Sequence, residues 1–564
     1  MARAFSISIF AITAAFLGSF LLWPIVMSVQ GAFFDTENQF TFTYVTEVFC
    51  NQIYLEGLRN AFLLALASLL AALGISLPLA LVSDRFIFPG KRFLSAFILV
   101  PMILPPFVGA IGVKQILGQM GALNAGLIRL GIMSPDDPVD WLGQSRFWGV
   151  VAMNALHLYP ILYLNIVASL ANLDPAMEEA AENLGCTGFR KFSKITLPLI
   201  LPGMFAGGTI VFIWSFTELG VPLMFDYTRV TPVQIFLGIR EIAENPLPYA
   251  LVVVTLLSSV LLYVASKSLF GRSYSESAPR ATMAGSARNV GFLAGVACSL
   301  LFASVSLLAI APHLGVVIVS FSGDWYGSIL PSEWTIEHYR EALGHGLTVP
   351  SIVNSLKYAS ASTLFDIVLG IAISCVVVRS TIPARGLLDA IAMLPLAVPG
   401  LVLAFGYVSM TQEGRLFQSL NPTTDPTALL IIAYAVRRLP YVVRCAVAGL
   451  QQTSVSFEEA AQNLGATPLR AIWKITLPLI TANLIAGGLL AFSFAMLEVS
   501  DSLVLAQKQI YYPITKAIYE LFQLLGDGRY VASALGVWSM LFLTLTIFAT
   551  NKLMGRRMGA IFRM

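Results

Sequence analysis

The amino-acid sequence predicts an all-α polytopic membrane protein with two parallel, homologous six-helix halves and about twelve transmembrane helices. Three observations predict this fold class: an apolar composition, about twelve apolar segments of spanning length, and a charged loop that occurs twice. Of the 564 residues, 57% are hydrophobic and only 12% are charged, whereas an average soluble domain is about 25% charged. The composition therefore indicates a protein that lies mainly in the lipid bilayer.

Charge and cysteine usage argue against several classes of protein. The net charge is only +3 and is scattered along the chain, which gives no basis for a nucleic-acid partner. The five cysteines lie far apart without a C-x-x-C pair, so they indicate neither a disulfide framework nor a thiolate metal site. The histidines show no ligand spacing, and no catalytic triad is recognisable. We therefore expect no metal site, no cofactor and no enzymatic activity in this chain.

The apolar segments have the length that a membrane requires. A span needs about 20 apolar residues because the hydrocarbon layer is ~30 Å thick and a helix rises 1.5 Å per residue. The first run follows a single arginine and has no small-residue cleavage site, so we expect an uncleaved span. The predicted spans are 5–28, 60–82, 93–113, 147–169, 200–221, 249–269, 291–319, 354–378, 387–409, 427–449, 480–501 and 531–551.

The loops between the spans differ in charge according to the side on which they fall. One side carries the bases, among them Arg85, Lys91, Arg190, Lys191 and Arg379. The opposite loops lean acidic, as at Asp35, Glu37 and Glu56. Because positively charged loops stay in the cytoplasm, both termini are predicted to be cytoplasmic.

An internal repeat divides the chain into two halves. Residues 178–200 match residues 458–480 at 16 of 23 positions, with an offset of 280 residues. Earlier in each half the offset is 294, which aligns Pro101 with Pro395 and Pro105 with Pro399. These prolines would place kinks or unwound turns at membrane depth, unless they mark simple packing kinks.

The repeat also predicts domain boundaries. A polar, small-residue segment at 271–290 reads as a cytoplasmic linker between a first domain, 1–270, and a second, 291–564. Six spans separate the two copies, so the halves are parallel. A parallel repeat implies a two-fold pseudo-axis along the membrane normal, with the transport pathway between the halves.

The best-matched part of the repeat is a charged cytoplasmic loop, at 171–198 (the first loop) and 451–478 (the second loop). We expect a short helix that ends at Gly185 or Gly465, because glycine accepts the left-handed cap conformation. A following helix would end at Leu197-Pro198 or Leu477-Pro478, where proline removes a backbone donor. Two such loops would suit a dimeric cytoplasmic partner. The chain has no G-x-x-x-x-G-K-[ST] nucleotide motif of its own.

The spacing E-A-A, three residues, G, nine residues, I, one residue, L-P resembles the EAA loop of binding-protein-dependent ABC import permeases. The matching residues are Glu179, Ala180, Ala181, Gly185, Ile195, Leu197 and Pro198, and Glu459, Ala460, Ala461, Gly465, Ile475, Leu477 and Pro478. The resemblance implies a type I ABC importer transmembrane domain whose loops dock on a separate homodimeric ATPase, which holds ATP-Mg. It also implies a periplasmic or lipoprotein substrate-binding protein outside. The alternative is a structural elbow retained after gene duplication.

Charges at membrane depth are candidate pathway residues, because such charges are costly there. Glu218 and Glu498 occupy equivalent repeat positions, with Asp501 one turn beyond Glu498, and would bind a cation or form an outer gate. Arg437 and Arg438 interrupt the tenth span and would neutralise Glu498 or attract an anionic substrate. The alternatives are hydrogen bonds within one bundle, a structural ion pair, or side chains that reach the interface.

The substrate is only weakly indicated. Two fused six-span halves look most like the ferric-iron import permeases, whereas fused thiamine and aminoethylphosphonate permeases and the polyamine importers are similar in layout. Two other classes remain as alternatives, an ion-coupled secondary transporter and a membrane-bound enzyme. The duplicated loop argues against both.

Overall fold

The computed structural model describes residues 3–34, 39–143, 146–239, 245–270 and 288–554. Most of the predicted linker, 271–290, lies outside the described residues, so the domain boundaries stay a prediction. The described chain is almost entirely helical, in agreement with the predicted fold class. Its named strands are β1 (Phe86–Ile87) and β2 (Arg288–Asn289), which form a two-residue parallel pair.

The first repeat supplies fourteen α-helices to the described chain. They are α1 (Arg3–Leu17), α2 (Trp23–Phe33), α3 (Thr43–Cys50), α4 (Gln52–Arg85), α5 (Lys91–Phe97), α6 (Pro106–Leu117), α7 (Ala122–Arg129), α8 (Phe147–Ala171), α9 (Pro175–Asn183), α10 (Gly188–Lys191), α11 (Leu197–Phe216), α12 (Gly220–Met224), α13 (Thr231–Gly238) and α14 (Leu247–Phe270). A π-helical turn at Gly18–Leu22 joins α1 to α2, so these two helices form one membrane-length segment.

The second repeat supplies the remaining α-helices of the described chain. They are α15 (Phe292–Phe321), α16 (Glu337–Gly344), α17 (Thr348–Arg379), α18 (Arg385–Met393), α19 (Gly400–Met410), α20 (Thr427–Gln452), α21 (Ser456–Asn463), α22 (Pro468–Ala471), α23 (Leu477–Met496), α24 (Ser500–Leu505), α25 (Ile514–Phe522) and α26 (Gly528–Met554). The order of long and short helices follows that of the first repeat, as expected for a duplication, except that α1 and α2 correspond to the single helix α15 and that α7 has no α-helical counterpart.

Eleven of the predicted spans correspond to apolar helices of membrane length. Among the described residues, nine helices qualify by length and hydropathy, and two further pairs qualify if each bent pair counts as one span. The remaining predicted span, 427–449, is the single helix α20, but Arg437, Arg438 and Arg444 make it too polar for the same criterion. Its first-repeat counterpart, α8, qualifies.

Two predicted spans, 93–113 and 387–409, are not continuous helices. The segments Lys91–Met102 and Pro106–Arg129 are bent by 94°, and Arg385–Leu396 and Gly400–Met410 by 102°. Pro105 and Pro399 lie in the two breaks with extended backbone conformations. A proline donates no backbone hydrogen bond and disfavours helix in the residue before it, which explains why both spans break at equivalent positions.

The described chain forms two compact units, and each combines segments from both repeats. Of the described residues, unit 1 comprises those within 1–55, 231–257 and 337–561, and unit 2 comprises those within 56–230 and 258–336. Helices α1 and α2 therefore pack within unit 1, mainly with second-repeat helices, whereas α15 packs in unit 2, mainly with first-repeat helices.

Glycines allow the close approach of these exchanged helices. In unit 2, a Cβ atom on Gly112 would overlap the carbonyl oxygen of Pro312 in α15. In unit 1, a Cβ atom on Gly406 would lie 2.5 Å from the carbonyl oxygen of Pro24 in α2. Gly112 and Gly406 are related by the offset of 294 residues, so the two contacts are equivalent in the repeat.

Each unit has its own apolar core, and apolar side chains also cover much of the outside. In unit 2 the core includes Tyr159, Ile200 and Phe302. On the span helices, Leu261 and Leu364 are 67% and 65% exposed. Exposed leucines in the middle of long helices suit a surface that contacts lipid chains instead of water.

Candidate coupling loops and intramembrane ion cluster

The helix of the first loop, α9, has defined caps at both ends. The side chain of Asp174 accepts a hydrogen bond from the backbone N–H of Ala176 at 2.9 Å, as an N-cap does. At the other end Gly185 has φ +76°. The N–H of Gly185 donates to Glu182 O at 2.9 Å, and that of Cys186 donates to Ala181 O at 2.8 Å. This is a Schellman motif, and it confirms the predicted glycine cap.

The helix of the second loop, α21, ends in the same way. Gly465 has φ +91°. Its N–H donates to Gln462 O at 2.9 Å, and the N–H of Ala466 donates to Ala461 O at 3.0 Å. The two glycine caps are therefore the same motif at equivalent positions, and the predicted role of Gly465 in local structure is confirmed.

The second helix of each loop does not end before the proline, and that prediction was wrong. Gly188–Phe216 and Pro468–Met496 are each one helix that runs from the loop into the span. Immediately before Leu197-Pro198 and Leu477-Pro478, the backbone forms a π-helical turn. A π turn is one residue wider than an α turn, which gives the proline ring room without ending the helix. Each loop is thus continuous with a membrane helix.

The first loop presents an apolar groove that contains several motif residues. Its volume is about 460 Å³, and it is lined by Ala176, Met177, Ala180, Ala181, Leu184, Cys186 and Ile195. Glu179 and its counterpart Glu459 are exposed, as are Ala180, Ala460, Pro198 and Pro478. Sequence reasoning missed Leu184 and Leu464, which are 88% and 90% exposed. The sequence indicated them only in that both repeats have leucine at this position.

A charged side chain that sequence reasoning did not single out fixes the first loop helix to its bundle. Glu178 accepts hydrogen bonds from Arg85 at 3.1 Å, from the hydroxyl of Thr196 at 2.5 Å and from Lys191 at 3.4 Å. We call Arg85, Glu178 and Thr196 the first clamp. Burial alone would raise the pKa of Glu178, but the Thr196 hydroxyl, Arg85 and Lys191 together lower it below the ordinary value.

Equivalent residues form a second clamp, Arg379, Glu458 and Thr476. Glu458 lies 3.1 Å from Nε of Arg379 and accepts from the Thr476 hydroxyl at 3.0 Å. Arg379 also donates to the carbonyl oxygens of Leu450 and Thr453, at 3.0 and 2.9 Å. The side chains of Arg379 and Glu458 are 6% and 9% exposed, against 33% and 25% for Arg85 and Glu178. The second clamp is therefore the more buried one.

The candidate pathway residues of the second repeat form a buried ion cluster. Glu498, in the break between α23 and α24, accepts from Arg437 at 2.7 Å and also binds Arg438. Arg437 lies 3.5 Å from Asp501. The backbone N–H of Asp501 donates to Glu498 at 3.4 Å, so the acid also caps α24. The structure thus brings together the four candidate pathway residues of the second repeat, Glu498, Asp501, Arg437 and Arg438. Their arrangement fits the alternative of a structural ion pair within one bundle.

Glu218 shares only part of that arrangement. Its carboxylate accepts from the backbone N–H groups of Gly220 and Val221, at 3.0 and 3.2 Å, and caps α12. The repeat counterparts of Arg437 and Arg438 are His157 and Leu158, and Nδ1 of His157 lies 2.9 Å from the Pro101 carbonyl oxygen. That Glu218 and Glu498 line the transport pathway stays a prediction.

In each repeat the described chain has apolar helices of membrane length and a charged loop that is continuous with a span, as expected for a duplicated membrane permease. The family model described as "Binding-protein-dependent transport system inner membrane component" matches the chain twice, at residues 73–276 and 366–559. These matches cover more than half of the chain. The chain belongs to this family and is a permease of the ABC importer class.

Several known proteins resemble the chain over different lengths. The ferric transport system permease protein FbpB of Actinobacillus pleuropneumoniae is 27% identical over 512 residues, which cover 85% of this chain and 69% of that protein. The putative ferric transport system permease protein FbpB 1 of Haemophilus influenzae is 27% identical, over 87% of this chain and 77% of its own length. The molybdenum transport system permease protein ModB of Escherichia coli is 34% identical, over 26% of this chain and 67% of its own length.

Proposed function

We propose that this permease carries ferric iron into the cytoplasm, with a periplasmic or lipoprotein-anchored binding protein delivering the ion from outside. The observation that supports this cargo is the alignment with ferric transport permeases across both repeats, over 85% and 87% of the chain. The molybdenum permease aligns with only 26% of the chain. A relative that shares the fused arrangement is the better guide to the cargo.

The two loops are the docking sites for a separate ATPase. The apolar groove of the first loop and the exposed Leu184 and Leu464 support this role, because exposed apolar patches mark interaction surfaces. The chain has no P-loop sequence, so ATP-Mg belongs to the partner. Two equivalent loops suit a homodimeric ATPase, with one loop for each subunit.

The proposed orientation places both termini and both loops in the cytoplasm of a bacterial cell. The basic residues Arg85, Arg190 and Arg379 lie on this side, in agreement with the positive-inside rule. Arg85 and Arg379 also bind the loop helices. The inner membrane is therefore the proposed location, with the binding protein on the opposite face.

Uptake of radiolabelled ferric iron tests the cargo. A strain that lacks this chain is expected to lose uptake and to regain it with the intact gene, whereas molybdate uptake is expected to stay unchanged. Loss of molybdate uptake without loss of iron uptake would contradict the assignment. Iron uptake driven by a proton gradient in vesicles without any ATPase would contradict the importer class.

Co-purification tests the docking sites. Replacement of both exposed leucines, Leu184→Ser with Leu464→Ser, is expected to reduce the amount of ATPase that co-purifies with the chain by about tenfold, since two apolar anchors are lost. Leu525→Ser is the matched control, because Leu525 is 98% exposed but lies in a loop predicted to be on the opposite side. Equal amounts of ATPase co-purified with the wild-type chain, the double leucine variant and Leu525→Ser would contradict docking at the loops.

A further inference from the structure

Each loop helix is held by an arginine, a glutamate and a threonine that recur in both repeats. In each clamp the arginine is the last residue of a long span helix, α4 or α17. The glutamate belongs to the loop helix, and the threonine closes the π turn at the base of the next span. The two arginines are related by the offset of 294, whereas the two glutamates and the two threonines are related by the offset of 280. Both repeats therefore make the same contacts, although the chain between the arginine and the glutamate differs in length.

The clamps connect each loop helix to the membrane spans more rigidly than the backbone alone does. Between α9 and the helix that begins at Gly188 lies Gly185, whose left-handed conformation forms a turn and not a rigid joint. The Thr196–Glu178 hydrogen bond bridges this turn, and the Arg85–Glu178 ion pair joins the loop helix to the end of α4. The loop helix is therefore fixed to two membrane spans at once.

We propose that Glu178 and Glu458 are positioning residues that couple ATPase movement to the membrane spans. This inference rests on the proposed function, because it requires an ATPase docked on the loops. With the clamps intact, a displaced loop helix carries its span with it. Without them, the loop helix rotates about the glycine turn, and ATP is hydrolysed without movement of the solute.

The two clamps are expected to differ in strength. The partly exposed first clamp is screened by water, as surface ion pairs are. The second is buried, and its arginine is additionally held by two backbone carbonyl oxygens at the end of α20 and just after it. Loss of one partner from a buried pair has a larger effect than loss from an exposed one. Coupling therefore depends more on Glu458 than on Glu178.

The test measures ATP hydrolysed per solute transported, in proteoliposomes that contain the permease, its ATPase and its binding protein. Glu458→Gln is expected to raise this ratio about tenfold, since a buried pair is broken. Glu178→Gln is expected to raise it about threefold, as for a partly exposed pair. Glu413→Gln, an exposed acid on the opposite side, is the control and should leave the ratio unchanged.

A second pair of variants separates positioning from folding. Thr476→Val removes the hydroxyl that binds Glu458 with little change in shape and is expected to raise the ratio, whereas Thr476→Ser keeps the hydroxyl and should restore it. The ratio does not depend on the amount of folded protein. If Glu458→Gln fails to fold, the threonine pair decides the question.

The possible outcomes are distinguishable. If every variant retains the ATPase and the ratio stays at the wild-type value, the clamp inference is overturned and the proposed docking stands. If the wild-type chain retains no ATPase, the proposed function fails, and the inference fails with it. If Glu458→Gln loses the ATPase altogether, the residue is a docking contact and the positioning role is overturned.

Discussion

Arg437 donates a hydrogen bond to Glu498 across 2.7 Å, and this pair joins the middle of α20 to the break at the end of α23. The side chains are 19% and 3% exposed. Arg438 binds the other carboxylate oxygen of Glu498. In the first repeat the acid is kept as Glu218, so the cap on the following short helix is common to both repeats, whereas the arginines belong to the second.

Removal of the charge at Glu498 is expected to destabilise the protein much more than the same change at Glu218. Glu498→Gln removes the carboxylate that binds both largely buried guanidinium groups and leaves Asp501, 3.5 Å from Arg437, as the remaining acid of the cluster, which costs about 3–5 kcal/mol. Glu218→Gln weakens a helix cap, which costs about 1 kcal/mol. Thermal unfolding of the purified proteins in detergent compares the two variants. Equal losses would show that the arginines add little to the stability of the cluster.

The contact between each glycine and its exchanged helix gives a steric prediction. Gly406→Val and Gly112→Val would force side-chain atoms into the carbonyl oxygens of Pro24 and Pro312, and we expect each to cost about 2–3 kcal/mol in the free energy of unfolding. Gly74→Ala is the control, since a Cβ atom there meets nothing within 4 Å and alanine favours the helix by about 1 kcal/mol. Unfolding of both valine variants at the temperature of the control would contradict the close approach.

The features that the sequence predicted correctly depend on neighbouring residues. The cap at Gly185 requires only a helix that ends beside a glycine, and the helix-forming residues of α9 are followed closely by that glycine in the sequence. The breaks at Pro105 and Pro399 were predicted as kinks or unwound turns, because proline acts on its own backbone. Their angles of 94° and 102° were not predictable, since they depend on what each half-helix packs against.

The features that were missed depend on residues distant in the chain. Arg85 and Glu178 are 93 positions apart, and Gly112 and Pro312 are 200 positions apart, so no local pattern marks either contact. The π turn before Pro198 was missed for another reason. Proline usually ends a helix, and no local residue shows that the turn before it will widen. The repeat was the one signal for the clamps, because all three residue types recur.

The first clamp gives the stability of the protein a dependence on pH. The pKa of Glu178 is lowered in the folded protein, so its ionised form stabilises the fold above the ordinary carboxyl pKa of 4.5, and this contribution is lost as the pH falls through the lower, folded value. The difference in unfolding free energy between wild type and Glu178→Gln should therefore be constant from pH 7 to about pH 5. Below that it should shrink. A difference that grows as the pH falls would contradict the sign of the shift.

The native cysteines report both orientation and docking. Cys50 is exposed and follows the first span, whereas Cys186 is partly exposed and lines the groove of the first loop. In sealed cells a membrane-impermeant maleimide should label Cys50 alone of these two, and in inside-out vesicles Cys186 alone, because thiols react only where reagent reaches them. Addition of the ATPase should slow labelling of Cys186 and leave Cys50 unchanged. Variants that keep only one of the two cysteines assign each signal. Labelling of Cys186 from outside would reverse the proposed orientation, and labelling that the ATPase does not slow would exclude the groove from its docking surface.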